Sequence, residues 1–194
     1  MNKISFAALA AVAAFIAGPA SAQTAEDNQP EMVTPPRLAV AEGNVQFWRP
    51  GEDAWERAQL NAALAKGDAI SVGDDGTVEL QIGPRDFVRL RAGTLLTLVD
   101  HDPGMMHFQL ASGTASFDLR GGRAGQLVRI DGDTANIVVG GHGYYRIETR
   151  EGETRLAVRN RGQATLTFAD GRSRSIGAGE EIVVYGDGGV DVRA

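Results

Sequence analysis

Gly76-Thr77-Val78-Glu79-Leu80 decides the fold: a glycine opens a short run in which apolar and polar residues alternate. The same form, Gly-x-Val/Ala-x-Leu/Phe, recurs at Gly43 to Phe47, Gly113 to Phe117 and Gly162 to Leu166. Alternation of this kind is the period of a half-buried strand, and a glycine at its start suits a tight turn. Recurrence suggests one unit wound several times, and the unequal spacing makes any solenoid irregular.

Period-two alternation continues from Arg37 to the C-terminus. Strands are expected at 77–82, 87–91, 95–99, 106–110, 114–119, 127–130, 136–139, 144–149, 155–159, 164–168, 174–176, 181–184 and 190–192. Between them lie turn formers such as Asp102-Pro103-Gly104, Gly140-Gly141 and Asp187-Gly188-Gly189. Only Asp53 to Lys66, with Trp55, Leu60 and Leu64 near helical spacing, admits a short helical turn, and there Trp55 reads as a core plug. A shift of 86 residues lays Leu80 on Leu166, Leu90 on Ile176, Ala92-Gly93 on Ala178-Gly179 and Leu98 on Val184. Internal duplication and the generic likeness of any two hairpins explain that match equally well. The expected fold class is all-β, an irregular β-helix or solenoid-like stack of short strands in one domain.

Residues 1–22 carry Lys3, an apolar run from Phe6 to Ile16, Gly18-Pro19 and Ala20-Ser21-Ala22. This is the pattern of a secretory signal peptide cleaved after Ala22, with an apolar run too short to span a bilayer. Residues 23–36, with Pro30, Pro35, Pro36 and several acids and amides, read as a disordered linker before a β-domain over 37–194. A periplasmic or secreted location follows, without membrane embedding after cleavage. The chain has no cysteine, so no disulfide supports the exported domain. A net charge of −6 argues against nucleic-acid binding through the phosphate backbone.

Catalytic chemistry has little support. There is no Gly-x-Ser-x-Gly or Ser-x-x-Lys motif, and Glu180 and Glu181, as strand neighbours, point to opposite faces. Asp100-His101-Asp102 with His107 has metal-ligand types, yet Asp102-Pro103-Gly104 is simpler as a solvated hairpin loop. No metal and no cofactor are expected. The acid-glycine clusters at 73–76, 131–133 and 186–191 complete no calcium motif and read as turns.

Binding has better candidates. Arg155, Arg159 and Arg161 share one face of a strand opposite Leu156 and Val158, with Arg146 and Tyr144 on the neighbouring strand. Such a face can grip an anionic glycan or acidic protein by bidentate hydrogen bonds, or it is a solvated face of cross-strand Arg and Glu pairs. Of Tyr144 and Tyr145, alternation turns one into the core.

Several segments together resemble the FecR-like domain: Trp55-x-x-Ala58-x-x-Asn61-x-x-Leu64-x-x-Gly67-Asp68-x-Ile70, Gly76 to Leu80, Val88-Arg89-Leu90, Gly143 to Ile147 and Ala178-Gly179-Glu180. Trp55, Asn61, Gly67 and Asp68 are the fold signature. The resemblance implies a periplasmic, non-enzymatic β-domain, best known from regulators that relay a signal from an outer-membrane receptor to a sigma factor. Here a signal peptide stands where those regulators carry a cytoplasmic segment and a membrane helix. Asp131 to Ala135 also departs from the Thr-Pro of many relatives. The expected function is binding of an envelope protein or glycan. The alternatives are a polysaccharide-acting β-helix enzyme and a part in a sigma-factor relay with a separate membrane partner.

Overall fold

The computed structural model describes residues 34–121 and 126–194, and all the regular structure in them is β. The expected signal peptide, and the expected linker up to Val33, lie outside the described residues. The first eight strands are β1 (Arg37–Glu42), β2 (Val45–Trp48), β3 (Glu56–Arg57), β4 (Ala69–Val72), β5 (Thr77–Gln81), β6 (Phe87–Leu90), β7 (Leu95–His101) and β8 (Met105–Leu119). Eight follow: β9 (Leu127–Asp131), β10 (Ala135–Gly140), β11 (Gly143–Arg150), β12 (Glu153–Arg159), β13 (Gln163–Phe168), β14 (Ser173–Gly177), β15 (Glu181–Tyr185) and β16 (Val190–Arg193).

The fifteen-residue β8 organises them. Its first half pairs with β7 and β9, its second half with β6 and β11. One layer therefore runs β1-β5-β6-β8-β11-β12-β15-β16 and the other β3-β2-β4-β7-β8-β9-β10-β13-β14. Every ladder is antiparallel except β8 with β9. Sequence reading divides β8 into two strands because its pleat changes parity: Met106, Phe108 and Leu110 are buried, then Ala115, Phe117 and Leu119. Gly113 sits at the change with φ +87°, and a Cβ there would lie 2.5 Å from the Thr94 backbone. Only glycine accommodates that bend at low cost.

The inward faces of both layers build a single apolar core. Phe108 and Phe117, from the two halves of β8, meet at its centre with ring centroids 5.8 Å apart. Tyr145 of β11 is fully buried and crosses between layers. Its hydroxyl lies 3.2 Å from the Gly140 carbonyl and accepts the Gln163 N–H at 3.2 Å.

The 86-residue match is a structural duplication. Val78 pairs with Leu90 and Leu80 with Val88; Ala164 pairs with Ile176 and Leu166 with Arg174. Ile70 pairs with Leu96, and Leu156 with Ile182. Val72 exchanges backbone hydrogen bonds with the Gly93-Thr94 turn, and Val158 does so with Gly179-Glu180. Gly76 and Gly162 are equivalent close-approach sites, where a Cβ would press on Val72 and Val158 at 2.7 and 2.9 Å. The two halves exchange layers, since β5 and β6 lie in one layer and β13 and β14 in the other.

Asp53 to Lys66 contains no helix. It runs as an extended strap along the first half: Ala58 N–H donates to Val45, Leu38 N–H to Ala62, Asn61 N–H to Leu38 and Leu64 N–H to Pro36. Extended backbone breaks the three-to-four spacing, so only Leu64 is fully buried. Trp55, expected in the core, is instead 40% exposed and Leu60 65%.

Candidate functional site

Alternation on β11 buries Tyr145, Ile147 and Thr149 and turns Tyr144, Arg146 and Glu148 outward. On β12 it buries Thr154, Leu156 and Val158 and turns Arg155, Ala157 and Arg159 outward. Register then sets the outward residues opposite one another: Tyr144 with Arg159, Arg146 with Ala157, Glu148 with Arg155. From the next strand Glu181 faces Ala157. These residues line an open groove of about 420 Å³. Ala157 is its floor, because a methyl group leaves space between the longer side chains around it.

Charge in the groove is unevenly committed. Arg155 bonds Glu153 at 3.2 Å and Glu181 at 2.9 Å, and these two carboxylates together raise its already high pKa. Glu148 accepts from Arg150 and lies 3.6 Å from Arg146. Arg159 is different. Its guanidinium donates only to the Val158 carbonyl, at 3.0 Å, and meets no carboxylate among the described residues. An exposed guanidinium beside a tyrosine ring is equipped to take an anionic group and a flat apolar one together.

Four of the five expected binding residues, Tyr144, Arg146, Arg155 and Arg159, thus meet in one groove. Arg161 does not line it, because with Asn160 it forms a turn at positive φ, 65° and 56°, that carries it past the end of β12. Sequence reading missed Ala157 and Glu181; the signal lay in the alternation of β12 and in the register of β15.

Of the fold signature, Asp68 is 1% exposed and accepts the Ala65 N–H at 2.8 Å. Gly67 has φ +86° and donates to the Leu98 carbonyl, and Asn61 holds φ 63°. These residues fasten turns. Trp55 fastens no core.

The histidines stand apart from the groove. His107 Nε2 and Asp131 are 2.7 Å apart, and Arg129 bonds the same carboxylate at 2.8 Å. Burial works to raise the Asp131 pKa, but hydrogen bonds from Arg129 and His107 prevail and lower it. Asp100 binds Lys66 at 3.2 Å, while Asp102 accepts the N–H groups of Gly104 and Met105 at 2.8 Å, as a hairpin loop requires. Among the described residues no three His, Cys, Asp or Glu side chains converge to hold a metal. In the acid-glycine clusters Gly76 N–H closes a turn on the Gly73 carbonyl at 2.9 Å and Asp187 accepts the Gly189 N–H at 2.8 Å, while Asp133 ties its loop to the next by accepting the Gly152 N–H at 2.7 Å.

A family model described as "FecR protein" matches residues 68–165, half of the chain, including β4 to β12. The chain belongs to the FecR family. No curated protein matches it. Two crystal structures of a candidate anti-sigma factor from Parabacteroides distasonis ATCC 8503 are similar, each with TM-score 0.55. Identity is 16% and 15%, and each match covers 64% of this chain. The chain spans 58% of the length of that protein. The likeness shows the fold; family membership supports a role in signalling. Of the four signature residues only Asp68 falls within the matched region. Among the described residues no helix is long and apolar enough to cross a membrane.

Proposed function

We propose that this FecR-family chain is an exported module, cleaved after Ala22, that binds a partner in envelope signalling through the β11–β12–β15 groove. The partner is an acidic protein surface or an anionic glycan of the cell envelope. The observation that carries this reading is Arg159, a guanidinium without a carboxylate in reach among the described residues, set directly opposite Tyr144 and beside the Ala157 floor of the groove. Its neighbours Arg155 and Glu148 are tied up internally, so Arg159, with Arg146 beside it, has the capacity left for a ligand. Residues 23–36 would be its N-terminal linker, and the duplicated halves are its two irregular winds.

Glu148 and Glu181 do converge with Arg155 in this groove, which is what a polysaccharide-acting enzyme would need. Both carboxylates are already engaged by arginines and the groove is open, so binding is the better account. A sigma-factor relay, in which a second protein supplies the membrane crossing, is compatible with the same groove and draws on the likeness to a candidate anti-sigma factor.

The test is a glycan array together with capture from envelope extracts, comparing the wild type with Arg146→Glu/Arg159→Glu. A ligand retained by the wild type and lost by the variant is expected, with unchanged circular dichroism. Equal retention by both proteins, or none by either, overturns the reading. Release of reducing ends from envelope polysaccharide would establish the enzyme instead.

A further inference from the structure

The duplication exposes a difference between the two ends of the molecule. In the first half β6 is sandwiched between β5 and the second half of β8, with Val88 opposite Phe117 and Leu90 opposite Ala115. The equivalent strand of the second half is β14, which pairs with β13 alone. Its outer edge meets no strand among the described residues, and Ser173, Arg174 and Ser175 are exposed along it. The turn that follows each of these two strands differs as well. Thr94 Oγ1 donates to the Thr114 carbonyl of β8 and accepts its N–H, at 3.1 and 3.0 Å. Its equivalent, Glu180, turns its carboxylate back to the Gly177 N–H at 2.6 Å. At the opposite end the outer edge of β1 is covered by residues 61–64 of the strap, and that of β2 by β3 and Ala58. Among the described residues β14 has no such cover.

We propose that β14 is a docking edge for an extended segment of a partner protein, added antiparallel in the place that Gly113 to Leu119 takes beside β6. An open edge is a template for strand addition, in which main-chain bonds supply affinity and alternate side chains supply selectivity. The β6–β8 ladder specifies the occupant. Opposite Ile176 it needs a small apolar residue, as Ala115 lies opposite Leu90. Opposite Arg174, which replaces Val88, it needs an acid two positions later. The Arg174 side chain makes no hydrogen bond or ion pair among the described residues, so an incoming carboxylate would be its partner. A second copy of this chain is a poor occupant, because β14 against β14 would offer Arg174 another Arg174 edge and no carboxylate. This edge is separate from the groove, and the proposal stands or falls independently of it.

The probes are three synthetic peptides: residues 113–119 as they stand, and the same sequence with Glu or Lys in place of Phe117. Amide hydrogen exchange of the full chain reads where each binds. The Glu peptide is expected to protect the β14 amides at millimolar concentration, with the Lys and parent peptides at least about tenfold weaker. Arg174→Glu, an exposed change, should weaken the Glu peptide by about tenfold and improve the Lys peptide. No protection of β14 by the Glu peptide, an Arg174→Glu variant that binds it unchanged, or β14 protection that rises with protein concentration alone would overturn the proposal.

Discussion

Replacing Tyr145 with phenylalanine removes one oxygen from the centre of the fold and nothing else. The ring stays buried, so no cavity forms, and the cost arises from hydrogen bonding alone. The hydroxyl accepts the Gln163 N–H and has the Gly140 and Gln163 carbonyls at 3.2 and 3.3 Å, so it ties β11 to the strands of the other layer. A net bond is worth about 0.5–1.5 kcal/mol, and a buried partner left unsatisfied costs about 1–3 kcal/mol. The Gln163 side chain reaches solvent and water can take up part of the loss, which places Tyr145→Phe near 1.5 kcal/mol. At about 2–4 °C per kcal/mol for a domain of this size, the melting temperature should fall by about 3–6 °C, with an unchanged urea m-value. Tyr144→Phe, on the outer face, should cost under about 0.5 kcal/mol. Burial raises the Tyr145 pKa, against an opposing hydrogen bond from Gln163. The unfolded phenol ionises near 10 while the folded one holds its proton, so wild-type stability is lost as pH climbs above about 10. The variant should lose less there. If Tyr145→Phe melts within 1 °C of Tyr144→Phe, the hydroxyl does not join the layers.

Gly162→Ala should cost about 1–3 kcal/mol by urea denaturation, because its Cβ would lie 2.9 Å from both Tyr145 and Val158 and 3.0 Å from the Arg159 carbonyl. At Gly171, with open space but φ +82°, alanine should cost only about 1 kcal/mol, and equal losses would show that crowding is not the cause. Burial lowers the His101 pKa, outweighing Asp102 and Asp100, and its Nε2 has no hydrogen-bond partner among the described residues. The unfolded imidazole takes a proton near 6.5 and the folded one resists it, so stability is full above that pH and lost below it. Melting temperatures should drop from pH 7.5 to 5.5 in the wild type and much less in His101→Gln; parallel curves would count against this assignment.

Strand positions were legible because each layer has one polar and one apolar face, so period-two alternation survives in residues such as Val78, Leu80, Val88 and Leu90. The 86-residue match was legible too, but apolar alternation alone cannot separate duplication from coincidence. Register can, and register is a long-range property. The joining of two strands into β8 was hidden because Gly113 reverses the alternation that a reader follows. Trp55 misled for a related reason: helical spacing carries meaning only if the backbone is helical, and hydrogen bonds to Val45 and Leu38 hold that strap extended. Tyr144, Arg146, Arg155 and Arg159 could be placed on one surface from alternation. Which of their charges were already neutralised depended on cross-strand neighbours, above all Glu181.

The bend at Gly113 also governs the order in which the protein can acquire its structure. As the chain emerges from its N-terminus, β6 and β7 can receive β8 as soon as residue 119 is available, yet both free edges of β8 then wait for β9 and β11. Until those strands arrive, Phe108 and Phe117 lack half of the core that covers them. Ladders between residues such as Gly113 and Thr149 close long loops, which makes for slow and cooperative assembly. Neither half is therefore a unit that could be excised and kept folded, because the strand at their junction is structural property of both. While it is incomplete the chain is most exposed to misassociation at β8, the strand best protected once it is finished.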